Sequence, residues 1–307
     1  MYFFKKSVMT SVFHHTFLRK VRPKFALWGY RCHNFSTEQK LNLSNYDTDQ
    51  LSMMREACIL CDMEDNIIDQ ASKKEVHMID GLCMRYGGMP HRAFSVFLFN
   101  EEWELLIQKR SKKKILFPLH WANTCCSHPL AHGATFLGNK IYDEDKGWKG
   151  TIQAARRKIE QELGISQRVL PNSDFHFVTK VHYKAPLPGD DPLWGEHEID
   201  YILLIQHSQA DIEAALELNP NEVVDVKWIS QQACRDFVAN GIHQSSEELE
   251  TPKDELISPW FAAIERDLLH GWWDQLKSGE SIIRDDQIHR LKGGREAIYE
   301  YHNQRSN

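Results

Sequence analysis

The chain has 307 residues, of which 42% are hydrophobic and 26% charged, a composition typical of a globular protein. Its 43 acidic residues outnumber the 37 basic ones, and the net charge of −6 argues against general nucleic-acid binding while allowing a local basic pocket for a small anion. No apolar run approaches the length of about 20 residues that a membrane-spanning helix needs. The seven cysteines are an odd number, which argues against a disulfide framework and favours a reducing compartment.

The first 37 residues carry seven basic side chains and no acidic one, with apolar residues interleaved among them. This pattern is typical of a mitochondrial transit peptide, with processing expected within residues 31–36. The alternative is a disordered basic tail on a cytosolic protein. Residues 38–54 are predicted to be a polar lead-in with a short helix at 48–55, and the folded domain is expected at 55–295. A polar tail follows at 296–307.

Hydrophobic periodicity and turn residues predict the elements of the domain in chain order. Strands are predicted at residues 57–62, 94–100, 103–108, 175–183, 199–206 and 223–229. A turn at 101–102 joins the second and third strands into a hairpin. Helices are predicted at 151–163, ending at Gly164, and at 259–276, while 131–150 is predicted to be a loop. Strands mixed with a few helices predict a single α/β (α+β) domain.

Two short patterns leave alternatives open. Cys58 and Cys61 have C-x-x-C spacing, but no second pair follows at zinc-ribbon distance, so both a metal or redox pair and two core thiols fit. Residues 109–114 hold five cations in six positions. This basic cluster fits a solvated loop, a nuclear signal or a phosphate-binding segment.

Two segments carry the groups that predict a chemical function. Residues 123–129 contain Cys126 and His128, and residues 194–201 contain Glu196 and Glu198. Residues i and i+2 of an extended chain point to the same face, so each segment directs both of its groups into one site. The same alternation points His197 away, and that residue is excluded from the site. Cys126 and His128 are expected to line one cavity rather than to form a nucleophile–base pair, since parallel side chains about 6–7 Å apart are poorly placed for direct activation.

Two further imidazoles, His77 and His91, precede these segments. Three imidazoles and two carboxylates together suit a six-coordinate divalent ion such as Mg²⁺, Mn²⁺ or Zn²⁺.

Residues 143–165 are similar to a Nudix box, G-x5-E-x7-R-E-U-x-E-E-x-G-U. Five positions match it: Arg157, Ile159, Glu162, Gly164 and Ile165. Four depart from it: Asp143, Lys149, Lys158 and Gln161. A diphosphate hydrolase needs the carboxylates of this box to hold its metals, so the pattern predicts a Nudix scaffold without diphosphate hydrolysis.

Residues 91–100, 123–130, 182–185 and 194–204 resemble type I isopentenyl-diphosphate delta-isomerases of the Nudix superfamily, and the similarity runs from about residue 50 to residue 290. The resemblance implies mixed β-sheets sandwiched by helices in a single domain. It also implies interconversion of isopentenyl and dimethylallyl diphosphate by a 1,3-allylic proton shift through a tertiary carbocation. The chain departs from the family pattern at Leu119, His120 and Ala122 and by an additional segment at 86–88, none of which is a proton-transfer residue.

The resemblance also implies roles for individual residues. The catalytic residues would be Cys126, Glu198 and Tyr183. The divalent ion of the site would be held by His77, His91, His128, Glu196 and Glu198, and a Mg²⁺ that accompanies the diphosphate would involve Glu162. The substrate would contact Lys73, Arg110, Lys114, Ser127 and Trp260. We expect a small-molecule substrate, no nucleic-acid partner and a monomer. A Nudix-type diphosphate hydrolase and an inactive diphosphate-binding module remain as alternatives.

Overall fold

A computed structural model of the chain describes residues 46–79, 90–187 apart from positions 132, 134, 137–139 and 142, then 194–244 and 255–292. All of them belong to one compact unit, Leu43–Asn307. The predicted transit peptide, the first part of the lead-in, the segment at 86–88 and the predicted C-terminal tail lie outside the described residues.

The described residues form seven α-helices: α1 Thr48–Met53, α2 Lys73–His77, α3 Gly147–Leu163, α4 Gln209–Ala215, α5 Gln231–Gln244, α6 Pro259–Ile264 and α7 His270–Ser278. A 3₁₀ turn spans Asn172–Asp174, and a π-helical turn at Glu265–Leu269 joins α6 to α7. The strands are β1 Ala57–Cys61, β2 Ile67–Ser72, β3 His91–Phe99, β4 Leu105–Arg110, β5 Trp121–Ala122, β6 Cys125–Ser127, β7 Thr135–Phe136, β8 Lys140–Ile141, β9 His176–Pro186, β10 Gly195–Gln206, β11 Val223–Ile229 and β12 Ile288–Arg290. None of the helices in this part of the chain is both long and apolar enough to span a bilayer.

Strands β3 and β10 run parallel at the centre of a mixed sheet with the order β11-β4-β3-β10-β9-β12. On its other side β3 pairs in turn with β1, β6 and β4. Every residue of β3 is buried, as is every residue of β10 except Gln206. Both faces of these strands are therefore covered, which explains their almost continuous runs of apolar residues. The predicted α/β class is confirmed.

Helix α3 covers one face of this sheet. Its predicted apolar stripe, Ile152, Ala155, Ile159 and Leu163, lies in the main hydrophobic core. The helix starts at Gly147 rather than at residue 151, so the end of the predicted loop at 131–150 is helical, and β7 and β8 form a small hairpin within it. Thirteen residues before Arg157, the Glu144 carboxylate accepts bonds of 2.8 Å from both Nε and Nη2 of that arginine.

Helices α1 and α2 hold the start of the domain in place. Helix α1 lies in the predicted lead-in, and its Gln50 and the following Met54 are buried. Helix α2 begins with a capping box, in which Ser72 Oγ accepts from the Glu75 amide and the Glu75 carboxylate accepts from the Ser72 amide. The S-x-x-E spacing was present in the sequence, but α2 is too short to show helical periodicity and was not predicted. It carries Lys73 at its first position and His77 at its last.

The glycine that ends α3 gives a test of this packing. Gly164 has φ +73°, and a Cβ on it would lie 2.4 Å from the carbonyl oxygen of Glu217. Gly279, which ends α7, has φ +75° and open space around the same position. We expect Gly279→Ala to cost about 1 kcal/mol, from the left-handed conformation alone. Gly164→Ala should cost about 2–4 kcal/mol because backbone must also move. Urea unfolding of both variants measures the difference, and equal losses would contradict the predicted clash.

Candidate active site

Five buried side chains from four segments meet at the end of the two central strands: His77, His91, His128, Glu196 and Glu198. Their ligand atoms all lie within 4.8 Å of one another, and the three imidazole centroids are 4.6–4.9 Å apart. The sheet register explains part of this, since His91 of β3 is directly opposite Glu198 of β10. The structure thus brings together all five residues predicted to bind the divalent ion of the site.

Burial keeps the three imidazoles neutral. It lowers the pKa of His77 from 6.5 to about 4, and it lowers the pKa of His91 and, further, that of His128. The carbonyl oxygen of Lys73 lies 2.6 Å from Nδ1 of His77. Nδ1 must therefore donate, which turns the lone pair of Nε2 towards the cluster.

The two carboxylates respond differently to burial. Burial and the charge of Glu198 raise the pKa of Glu196 well above its usual value. Burial opposes ionisation of Glu198 too, but the hydrogen bond from His128 and the nearby imidazole of His91 outweigh it and hold the pKa of that carboxyl low. The contact distances are 2.8 Å from His128 Nε2 and 3.4 Å from His91 Nε2, both to Glu198 Oε1.

The cluster fits a divalent cation. Among the described residues, His77 Nε2, His91 Nε2 and Glu196 Oε2 are buried and have no hydrogen-bond partner, although His77 Nε2 and Glu196 Oε2 lie only 2.8 Å apart. Buried polar atoms left in this state are costly unless another group satisfies them. Neutral imidazole nitrogens and carboxylate oxygens aimed at one point are the donor set that such an ion requires.

A cavity opens beside the cluster. All the predicted catalytic and substrate-binding residues line it: Cys126, Tyr183, Glu198, Lys73, Arg110, Lys114, Ser127 and Trp260. Three further residues that line the cavity were not predicted from the sequence: Phe94, Ser95 and Leu116. Since Ser95 lies opposite Cys126 in the β3–β6 pair, that strand pairing would have identified it, but β6 has only three residues and was not predicted.

Strand alternation separates the two adjacent cysteines. Cys126 lines the cavity, whereas Cys125 lies in the hydrophobic core with its Sγ 3.6 Å from Glu162 Oε2. Burial raises the pKa of Cys126 to about 12, against the opposing charge of Arg110, whose Nη1 lies 3.7 Å from the sulfur. Cys126 is therefore a thiol, with its proton, at neutral pH.

Tyr183 and Glu198 face the same cavity as a hydrogen-bonded pair. They are opposite each other in the antiparallel β9–β10 register, and the Tyr183 hydroxyl donates a short hydrogen bond to Glu198 Oε2. The two oxygens of Glu198 thus have different partners, the imidazoles on Oε1 and the phenol on Oε2. Burial and the Glu198 charge raise the pKa of Tyr183 well above 10, so the phenol stays protonated.

The cation and the aromatic ring at the edge of the cavity are fixed by local bonds. Arg110 donates from Nη2 to the Leu116 carbonyl at 2.8 Å and from Nε to the Phe117 carbonyl at 3.0 Å. Its guanidinium lies 5.4 Å from the ring centroid of Trp260. The Trp260 indole donates to Asn123 Oδ1 at 3.1 Å, so the side chain of residue 123 orients the tryptophan.

Glu162 lies outside the five-residue cluster, within a group of buried charges. Its Oε1 is 3.2 Å from Lys158 Nζ and 4.0 Å from Lys114 Nζ. Lys158 replaces the acid that directly follows the arginine of the Nudix box, and its ammonium also lies 3.8 Å from Glu222 Oε2. A cation therefore occupies the place where a Nudix hydrolase has one more carboxylate.

The structure shows the surroundings of His197, which the sequence excludes from the site, and of Cys58 and Cys61, for which the sequence leaves two alternatives. His197 faces away from the cluster, with its Nε2 3.0 Å from that of His182, as predicted. Cys58 and Cys61 are both fully buried, and burial raises their thiol pKa values. Both lie in hydrophobic core clusters, as the core-thiol alternative predicts.

Comparison with known proteins agrees with this geometry. The NUDIX domain family matches residues 89–249. The isopentenyl-diphosphate delta-isomerase of Gibberella zeae is 41% identical over 250 residues, which cover 81% of this chain and 88% of that protein. That of Dictyostelium discoideum is 38% identical, covering 78% and 92%, and isomerase 1 of Bos taurus is 34% identical, covering 82% and 99%. A match of this extent, over a Nudix domain, places the chain in the isopentenyl-diphosphate delta-isomerase family.

Proposed function

We propose that the chain interconverts isopentenyl diphosphate and dimethylallyl diphosphate. The observation that carries the proposal is one cavity with two proton-transfer groups, the Cys126 thiol and the Tyr183–Glu198 pair, beside cations suited to a diphosphate. The curated relatives named isopentenyl-diphosphate delta-isomerase support this function over diphosphate hydrolysis. The replacement of box carboxylates, above all by Lys158, supports the same choice.

The proposed reaction adds a proton to the terminal methylene carbon of the alkene and removes a different proton from the carbon next to the one that bears the diphosphate. A tertiary carbocation lies between the two steps. One group must donate a proton and another must accept one. The two groups that line the cavity and can do this are Cys126 and the Tyr183–Glu198 pair. Trp260 stabilises the cation through its π face, by about 2 kcal/mol in a desolvated site. Burial of these residues keeps out water that would trap the cation.

The cations serve to hold the diphosphate. Lys73, Arg110 and Lys114 line the cavity, and Ser127 adds a hydroxyl. The isoprenyl tail offers no polar group to recognise, so binding energy at the diphosphate must orient the reacting carbons. We propose that a Mg²⁺ bound with the diphosphate is held by Glu162, as the family resemblance implies; the Oε1 atom of this residue is buried and lies 3.2 Å from the Lys158 ammonium.

We propose a second divalent ion, Mg²⁺, Mn²⁺ or Zn²⁺, in the His/Glu cluster. When bound there, it supplies the positive charge that allows Glu196 and Glu198 to be ionised together. The chain's own part is to present three neutral imidazoles and to hold Glu198 between His128 and Tyr183. We also propose that the enzyme acts as a monomer.

The proton-transfer roles are tested by single substitutions. Cys126→Ala and Glu198→Gln should each reduce turnover at least 10³-fold, because each removes one of the two groups that move a proton. Cys234 is a buried cysteine in α5, and Cys234→Ala is the matched control that should keep activity. Labelled isopentenyl diphosphate with Mg²⁺ is followed for dimethylallyl diphosphate and inorganic phosphate together. Phosphate without isomer in the wild type would identify a hydrolase, and near-normal turnover of either variant would refute these roles.

The metal proposal is tested by elemental analysis. Wild-type chain purified at neutral pH should hold about one tightly bound divalent ion, and His91→Asn should lose it because an imidazole ligand is removed. His176 is an exposed histidine on β9, so the control variant His176→Asn should bind as much metal as the wild type does. Because the pKa of His77 is about 4 rather than 6.5, the ion should stay bound at pH 6, where protons would compete with the ion for an ordinary histidine. Equal metal content in wild type and His91→Asn would contradict the assignment.

We propose that residues 1–37 direct the protein to mitochondria, with a cytoplasmic protein as the alternative. Support comes from the acid-free, basic and apolar sequence alone. Fusing these residues to a fluorescent reporter should place it in mitochondria, and changing Arg19, Lys20 and Arg22 to glutamate should abolish this. A reporter that stays in the cytosol in both cases would reject the transit peptide.

A further inference from the structure

A buried carboxylate lies behind one of the cations of the cavity. Glu222, just before β11, is only 3% exposed, and its Oε2 makes a short salt bridge with Lys114 Nζ. Lys114 lines the cavity but Glu222 does not. The carboxylate therefore contacts the ammonium from the side away from the cavity. An ammonium has three donors, so the others stay available to a ligand in front.

The second oxygen of Glu222 is held by the N-terminal helix. Gln50 of α1 is 5% exposed and donates from Nε2 to Glu222 Oε1 at 2.7 Å and to the carbonyl of Asn221 at 3.0 Å. Asn221 in turn donates from Nδ2 to Asp49 Oδ2 at 2.7 Å. Both hydrogen bonds from Gln50 Nε2 go to residues 221 and 222, so Gln50 acts as a clamp on this loop. Because the clamp occupies Oε1 of Glu222, Oε2 remains for Lys114.

The residues that follow α1 hold a second cation of the cavity. The backbone amide of Lys73 donates to the Glu56 carbonyl at 2.7 Å, and the amide of Lys74 donates to the Met54 carbonyl at 3.0 Å. These bonds fix the first turn of α2, which carries the Lys73 side chain into the cavity. The segment from Gln50 to Glu56 thus supports two of the lysines that line the cavity.

We infer that Gln50 and Glu222 are positioning residues for the substrate's diphosphate group, acting through Lys114. This inference rests on the proposed function. A free lysine side chain samples many rotamers, and a ligand that must order it binds more weakly. The Gln50–Glu222 pair orders Lys114 in advance and offsets the repulsion between Lys114 and Lys158. Neither positioning residue touches the reacting carbons, so their effect falls on binding rather than on proton transfer.

Four variants test this inference. Gln50→Ala removes the clamp without changing the charge, and Glu222→Gln removes the carboxylate. Thr48→Ala, exposed on the same helix, and Glu217→Gln, exposed in the preceding loop with the same change of charge, are the matched controls. KM and kcat are measured for isopentenyl diphosphate, and calorimetry measures the Kd of inorganic diphosphate with Mg²⁺.

Gln50→Ala should raise both KM and the Kd of inorganic diphosphate about three- to tenfold, and Glu222→Gln should raise them about tenfold or more, as expected for the loss of hydrogen bonds to a charged group. The kcat should stay within about twofold in both. The double variant should bind no more weakly than Glu222→Gln alone, because Gln50 acts through Glu222. A general loss of structure would instead lower kcat and the melting temperature together.

The inference is wrong if folded Gln50→Ala binds inorganic diphosphate as tightly as the wild type. If Glu222→Gln does not fold, Gln50→Ala decides alone. Tighter binding by Glu222→Gln would show that the carboxylate competes for Lys114 instead of positioning it, and would also overturn the inference. A wild-type chain that binds diphosphate but makes no isomer would refute the proposed function, while the calorimetry would still test the clamp.

Discussion

The site depends on how Glu198 is held at the centre of a buried sheet. The parallel register with β3 sets it opposite His91, and the antiparallel register with β9 sets it opposite Tyr183. A buried carboxylate is stable only when its charge is compensated and both oxygens are hydrogen-bonded. Here the imidazoles satisfy one oxygen and the phenol the other. The candidate metal cluster and the Tyr183–Glu198 pair therefore share one residue.

This shared residue explains the layout of the rest of the site. The sheet fixes Glu198, Tyr183 and His91, because all three lie within hydrogen-bonded strands. Residues from shorter elements complete the site: His77 from α2, and Cys126 and His128 from β6 and the turn after it. Those elements are stabilised by local bonds, such as the capping box at Ser72. The long strands thus fix the positions of Glu198, Tyr183 and His91, and the shorter segments carry the remaining candidate residues of the site.

Sequence patterns predicted the parts of this structure that repeat over many residues. The stripe of α3 follows from its period, strand β11 was predicted with the bounds that it has, and the i,i+2 rule directed Cys126 into the cavity and His197 away from it. The elements that were not predicted include β2, β6 and α2, which are too short to show a period, and also α4 and α5, although α5 has 14 residues. The convergence of Lys73 with Lys114 came only from the family resemblance, since no local pattern encodes contacts between distant segments.

The function of Glu222 shows the limit of local patterns more sharply. Nothing within its own segment identifies it as more than a residue of a polar turn, and its partner Gln50 is 172 positions away along the chain. Its importance arises from burial, because an unpaired charge near Lys114 and Lys158 would have a high free-energy cost away from water.

The same balance of charge separates this chain from a hydrolase on the same scaffold. A hydrolase keeps several carboxylates on the Nudix helix, and together they hold metal ions against the diphosphate. In this chain Lys158 sits among the remaining acids, 3.2 Å from Glu162 and 3.8 Å from Glu222, so the local negative charge is largely neutralised before any ion arrives. A diphosphate can be anchored at such a site, but few carboxylates are left to assemble several metals or to activate water. The ionised carboxylate that lines the cavity is instead Glu198, which lies on β10 and not on the Nudix helix.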